Sequence, residues 1–84
     1  MDSREKAEYF KALSNPGRIE ILLHLETTGC NVNKMVDTLG LPQSTISQHL
    51  GILRKTGLVA TRKEGYNTCY YIKDKRVLEI LKML

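Results

Sequence analysis

Four helical segments, a β-hairpin and a closing helix make up a small, mainly α domain with a two-stranded wing, and three observations predict it. Apolar residues recur at helical spacing in blocks divided by Ser14-Asn15-Pro16-Gly17, Gly29-Cys30 and Gly40-Leu41-Pro42; the period becomes strand-like from Leu58; and it turns helical again after Asp74. The 84 residues fit one domain, and a composition of 42% hydrophobic and 26% charged residues sets aside disorder and collagen-like structure. A core this small buries a modest share of its surface, so self-association is expected.

Residues 3–13 carry Ala7, Phe10 and Leu13 with polar residues between them, a helical stripe. Asn15 suits an N-cap and Pro16 a first helical position, which opens a second helix over about 16–27. Ile19, Leu22 and Leu23 form one face of it, widened by Ile21 and Leu25. Asn31 can cap a third helix whose Val32, Met35, Val36 and Leu39 fall at i, i+3, i+4 and i+7, with Gly40 placed to end it. After Leu41-Pro42, a fourth helix over about 43–56 buries Ile46, Leu50 and Leu53 and stops at Gly57. Leu58 to Glu64 and Thr68 to Lys73 read as strands joined by Gly65-Tyr66-Asn67, and Asp74 caps a last helix reaching Leu84. That order is the architecture of a winged helix-turn-helix.

Thirteen Lys and Arg against nine Asp and Glu leave a net charge of +4, a mild hint of a polyanionic partner. So short a chain has little room for a walled pocket beside its core, which argues against an enzyme of small molecules. No apolar run reaches the roughly twenty residues of a membrane span, and residues 1–6 lack the apolar stretch of a signal peptide, so a cytoplasmic protein is expected. Two cysteines, Cys30 and Cys69, are too few for a disulfide scaffold and have no zinc-site spacing.

The fourth helix carries the functional signal. Opposite its apolar side lie Ser44, Ser47, Gln48, Gly51 and Lys55, uncharged and hydrogen-bonding near the N-terminus, as a DNA major groove requires. A Gln can contact adenine through two hydrogen bonds, Gly51 removes bulk, and Arg54 and Lys55 reach flanking phosphates. No acid occurs between Leu39 and Ala60, where a carboxylate would oppose phosphate. The plainer account is a polar first turn of Gln43, Ser44, Thr45 and Ser47 satisfying free backbone donors. The acid-free stretch, the tight preceding turn and the following hairpin outweigh it. Arg62 and Lys63 before the hairpin loop suit a wing on the DNA backbone or in the minor groove, though charged residues also protect edge strands.

The run from Phe10 to Leu22, the run from Leu41 to Val59, Arg62-Lys63-Glu64-Gly65 and Tyr70-Tyr71-Ile72 together resemble the ArsR/SmtB family of transcriptional regulators over nearly the whole chain. The resemblance implies a homodimeric winged-helix repressor on palindromic double-stranded DNA operators. Gln43, Ser44, Thr45, Ser47, Gln48 and His49 are the expected major-groove residues. Arg62, Lys63, Tyr66 and Asn67 are the expected wing, and Arg18, Arg54 and Lys55 the expected phosphate contacts.

Departures from the family pattern concern metal. Where arsenic- and cadmium-responsive members carry Cys-x-Cys, this chain has Asn31-Val32-Asn33, which lacks the thiolates soft metals need. Zinc- and nickel-type members place an Asp with several His on the last helix, but residues 74–84 contain no His. The chain thus resembles the metal-independent branch that includes virulence and hemolysin regulators, and no metal or other cofactor is expected. His24 is read as exposed and His49 as flanking the packed face. Cys30 and Cys69 read first as packed thiols and second as a redox pair.

On the last helix Val77, Ile80, Leu81 and Leu84 fill one face, with Leu78 and Met83 on its flanks, more apolar surface than this core needs. Phe10, Val77, Leu78, Leu81 and Leu84 are therefore the expected two-fold interface, the terminal helices of about 3–13 and 74–84 holding two recognition helices about one DNA turn apart. A thiol-responsive regulator and a winged-helix module that binds protein rather than DNA are the competing expectations.

Overall fold

The computed structural model describes residues 1–28 and 32–84. Its elements run α1 (Ser3–Ala12), α2 (Pro16–Thr28), α3 (Val32–Leu39), α4 (Gln43–Lys55), β1 (Val59–Glu64), β2 (Asn67–Ile72) and α5 (Arg76–Lys82). This is the winged helix-turn-helix the sequence predicts.

Local chemistry sets most of the boundaries. Asp2 and Glu5 form a reciprocal capping box at the start of α1, Asp2 accepting the Glu5 N–H at 2.8 Å and Glu5 accepting the Asp2 N–H at 3.3 Å. Asn15 Oδ1 accepts the N–H groups of Gly17 and Arg18 at 2.8 and 3.3 Å, the expected cap of α2. The Asn31 cap expected for α3 lies outside the described residues. The N-cap of the last helix is Lys75, which makes no side-chain cap, and not the expected Asp74; Asp74 lies one residue earlier, its Oδ1 accepting the Arg76 N–H at 3.1 Å. Gly40 and Gly57 take φ of +67° and +84°, the left-handed conformation that ends α3 and follows α4.

Ile21, Leu22, Met35, Ile46, Leu50, Leu53, Leu58, Val59 and Val77 are the largest fully buried side chains, and they come from α2, α3, α4, the root of the hairpin and α5. Each contributes roughly 1.5–3 kcal/mol by leaving water. Val32, Val36 and Leu39 of α3 pack at the edge of this core around Met35. On α1 the buried residues are Tyr9 and Ala12, joined by Leu13 at its C-cap, so Leu13 behaves as expected while Ala7 and Phe10 face outward. On α2 Leu23 is exposed and His24 is buried, the reverse of the expected arrangement. Five apolar residues spread over more than half of that helix, a face too broad for the sequence alone to orient it.

β1 and β2 are antiparallel, from Val59 opposite Ile72 to Glu64 opposite Asn67. The turn is therefore Gly65-Tyr66 alone, with Asn67 already in the ladder. Gly65 has φ +63° and, among the described residues, no non-glycine residue has positive φ, the pattern of a type II′ hairpin turn. The hairpin root is tied down at Leu58. Its N–H donates to the Leu53 carbonyl at 2.9 Å, and its carbonyl accepts from the Lys73 and Asp74 N–H groups at 2.9 and 3.3 Å. A Lys82–Glu26 ion pair of 3.4 Å joins α5 to α2. Among the described residues, no helix is long and apolar enough to cross a membrane.

Candidate nucleic-acid interface

Ile46, Leu50 and Leu53 fix the rotation of α4, because they are buried in the core on one side of the helix. That rotation turns Gln43, Ser44, Ser47, Gln48 and Gly51 to solvent, with Thr45 half-buried beside them. Pro42 occupies the N-cap and no side chain caps the first turn, so the polar residues there are not used to satisfy its N–H groups. The helix start thus presents uncommitted backbone donors and short hydrogen-bonding side chains together. Arg54 and Lys55 are exposed in its last turn. A Cβ built on Gly51 meets nothing within 4 Å. Nothing inside the chain demands this mid-helix glycine, which costs up to about 1 kcal/mol relative to Ala.

Two expected contacts have other positions. His49 is half-buried rather than on the exposed stripe, and Arg18 Nη1 lies 3.4 Å from its Nδ1. Burial first, and the Arg18 charge second, hold the His49 pKa below the usual histidine value. Arg18 itself turns toward the end of α1, donating from Nε to the Ala12 carbonyl at 2.6 Å and from Nη2 to the Lys11 carbonyl at 3.4 Å. Its hydrogen bonds are made within the chain, toward the end of α1. The orphan carbonyls at a helix C-terminus attract a guanidinium strongly.

In the wing, Lys63, Tyr66 and Asn67 are exposed, Tyr66 completely so. Arg62 is exposed too, but Nη2 lies 2.9 Å from Glu64 Oε1, and its guanidinium sits 5.8 Å from the centre of the Tyr71 ring. The pair is solvent-screened and weak, yet it offsets one of the two wing cations locally. Lys63 makes no ion pair among the described residues.

The terminal helices present the second surface. Phe10 is 56% exposed, its ring edge-on to Tyr9 with centroids 5.7 Å apart. Leu78 and Leu81 are half-buried, and Leu84 is exposed. Val77 is 0% exposed, so among the expected interface residues it is a core residue with no surface left for a partner. At the base of α5, Asp74 and Arg76 pair at 2.7 and 2.9 Å, and these hydrogen bonds from Arg76 hold the Asp74 carboxyl below its usual range. Nearby Tyr9 is pushed up, by burial and then by the Asp74 charge. Sequence reading missed this Tyr9–Asp74–Arg76 corner, since only the folded chain brings residue 9 beside residue 74.

Asn33 offers a neutral amide on exposed α3, α5 contains no His, and among the described residues no three of His, Cys, Asp or Glu gather. Cys69 is buried and disulfide-bonded, and the other cysteine of the sequence, Cys30, lies outside the described residues.

Residues 15–61 match the family model of the bacterial regulatory protein, arsR family. An uncharacterised HTH-type transcriptional regulator of Methanocaldococcus jannaschii is 50% identical over 86 residues, spanning 100% of this chain and 97% of the relative. The solved structure of HlyU from Vibrio cholerae superimposes with a TM-score of 0.83 at 33% identity, covering 99% of this chain and 92% of that one. The homodimeric winged helix-turn-helix DNA-binding domain of a possible ArsR-family regulator from Mycobacterium bovis gives 0.83 at 30% identity, covering 95% and 74%. With over half of its length inside the family model and these relatives matching nearly all of it, the chain belongs to the arsR family of regulatory proteins.

Proposed function

We propose that this chain is a homodimeric transcriptional regulator that reads a palindromic double-stranded DNA operator. In this reading α4 lies in the major groove, with Gln43, Ser44, Thr45, Ser47 and Gln48 near the base edges and Arg54 and Lys55 on phosphate. Lys63, Tyr66 and Asn67 lie on the backbone or in the minor groove, with Arg62 beside them. A two-fold axis through Phe10 of α1 and Leu78, Leu81 and Leu84 of the last segment sets the two α4 helices about 34 Å apart. Repression is the expected output, because it asks only that the operator be occupied.

The observation that carries the reading is the outer face of α4: exposed, uncharged and uncapped at its start, cationic at its end and built around a glycine the interior does not require. Selection of bound duplexes from a random DNA pool tests it. A two-fold symmetric consensus is expected, and failure to retain any duplex at low salt would refute DNA binding in favour of a protein-interaction module.

A second reading, a thiol-responsive regulator, is favoured by the disulfide at Cys69. Repeating the selection with reductant and with oxidant, for wild type and Cys69→Ser, tests it. Equal operator affinity under both conditions for both proteins removes the idea.

A further inference from the structure

The Arg18 side chain touches α1 and α4 at once. Its Nε donates to the Ala12 carbonyl at 2.6 Å, its Nη2 to the Lys11 carbonyl at 3.4 Å, and its Nη1 faces His49 Nδ1 at 3.4 Å. A guanidinium has only donors, so this contact is a hydrogen bond when Nδ1 accepts, which requires a neutral imidazole with its proton on Nε2. The other side of that ring is equally constrained. A Cβ on Gly17 would lie 3.0 Å from His49 Nε2 and 3.0 Å from Asn15 Oδ1, a clearance only glycine leaves without displacing a neighbour. Further along, α1 and α4 diverge around a groove of about 450 Å³ lined by Arg4, Glu5 and Glu8 on one side and Ile52, Lys55 and Thr56 on the other.

We infer that Arg18 and His49 form a positioning strut that fixes the angle of the DNA-reading helix against α1. The inference rests on the proposed reading of α4 and of α1 as part of the dimer interface. Through the strut, the orientation of α1 at the two-fold axis sets where each α4 meets its half-site. His49 therefore acts through Arg18 and not by touching DNA.

Protonation distinguishes these roles by sign. A protonated His49 loses its acceptor and places a cation against the Arg18 guanidinium, so acid loosens the strut. A His49 that touched phosphate would bind more tightly in acid. Arg18 of α2 is the charge whose field reaches His49; Glu20 and Glu26 of α2, Lys34 and Asp37 of α3 and Arg62, Lys63 and Glu64 of β1 are exposed side chains on the elements packed against α4. The unfolded chain takes up the His49 proton near its ordinary value of about 6.5, and the folded chain only at lower pH. The strut's contribution is thus complete above about pH 6.5 and is lost as pH falls below it.

The test compares wild type, His49→Ala and His49→Asn, the last keeping an acceptor near Nδ1 without a titrating group. Affinity is measured for the selected palindrome and for versions with half-sites one base pair closer or farther apart, at pH 7.5 and pH 5.5. His49→Ala is expected to lose about tenfold on the palindrome, the equivalent of one base contact, and to discriminate less between spacings. His49→Asn is expected to match wild type at pH 7.5 and to lack its weakening at pH 5.5. Unchanged spacing preference in His49→Ala, or the wild-type acid weakening retained in His49→Asn, overturns the strut. If wild type binds no duplex, the DNA reading fails, and thermal melting then decides the strut alone. Melting that falls in acid for wild type but not for His49→Asn sustains it, and equal falls refute it.

Discussion

The outer face of α4 and the outer faces of the terminal helices are both surfaces the core leaves free, but their chemistry is opposite. α4 offers Gln, Ser and a glycine ending in two cations, in a stretch from residue 38 to residue 63 without one carboxylate. The end helices offer Phe10, Leu78 and Leu81, with Leu84 beyond them. The first suits a hydrated, charged polymer that must be able to leave; the second suits an apolar copy of itself that need not. Exposure alone does not separate the two. What separates them is which groups the fold has left without a partner.

Breaking the apolar side should have the largest effect. Phe10→Asp leaves the core intact, since Phe10 is exposed, but puts a charge at the proposed two-fold axis. Sedimentation should find monomers, and affinity for the full palindrome should fall about 10²- to 10⁴-fold while single half-site binding is kept. A dimer that persists would move the interface elsewhere. On α4, Gln48→Ala should cost about 1–3 kcal/mol and relax preference at one base position in a repeated selection. An equal loss on every sequence would remove Gln48 from base reading.

Val77→Ala sharpens the boundary between core and interface. It should lower folding stability by roughly 2 kcal/mol in denaturant unfolding without weakening dimer association in sedimentation, because Val77 has no outward surface. Lys63→Ala should weaken all duplexes alike and reduce the slope of affinity against salt by about 1. The smallest effect belongs to Asp74→Asn. The depressed Asp74 carboxyl stabilises the fold above its unfolded value and loses that effect as pH falls through its folded one. Wild type and variant should therefore melt apart at pH 7 and converge in strong acid.

The helix-turn-helix was legible because α3 and α4 each have one clean apolar side, Met35 and the trio Ile46, Leu50 and Leu53 landing where spacing put them. α1 was less so: it has two apolar sides, and periodicity cannot tell the one that meets the core through Tyr9 and Ala12 from the one that carries Phe10. The apolar face of α2 is more than half its circumference, too broad to fix its rotation, which hid the burial of His24. Of the site, the exposed polar residues of α4 were readable from rotation about its buried trio, whereas the exposure of Ile52 was not. Arg18 was not, because a cation near a DNA-facing helix and a cation folded back onto two carbonyls look identical in one dimension.

The knot at Leu58 makes the hairpin and α4 a single caliper of fixed span, since one carbonyl holds both Lys73 and Asp74 while the amide holds Leu53. A rigid gauge cannot adapt to the rod it grips. On the proposed reading it is the duplex that must narrow, twist or bend to bring a major and a minor groove to that span. The stiffness of base steps between the two contacts then enters the affinity. Selected operators should be biased at positions no side chain reaches.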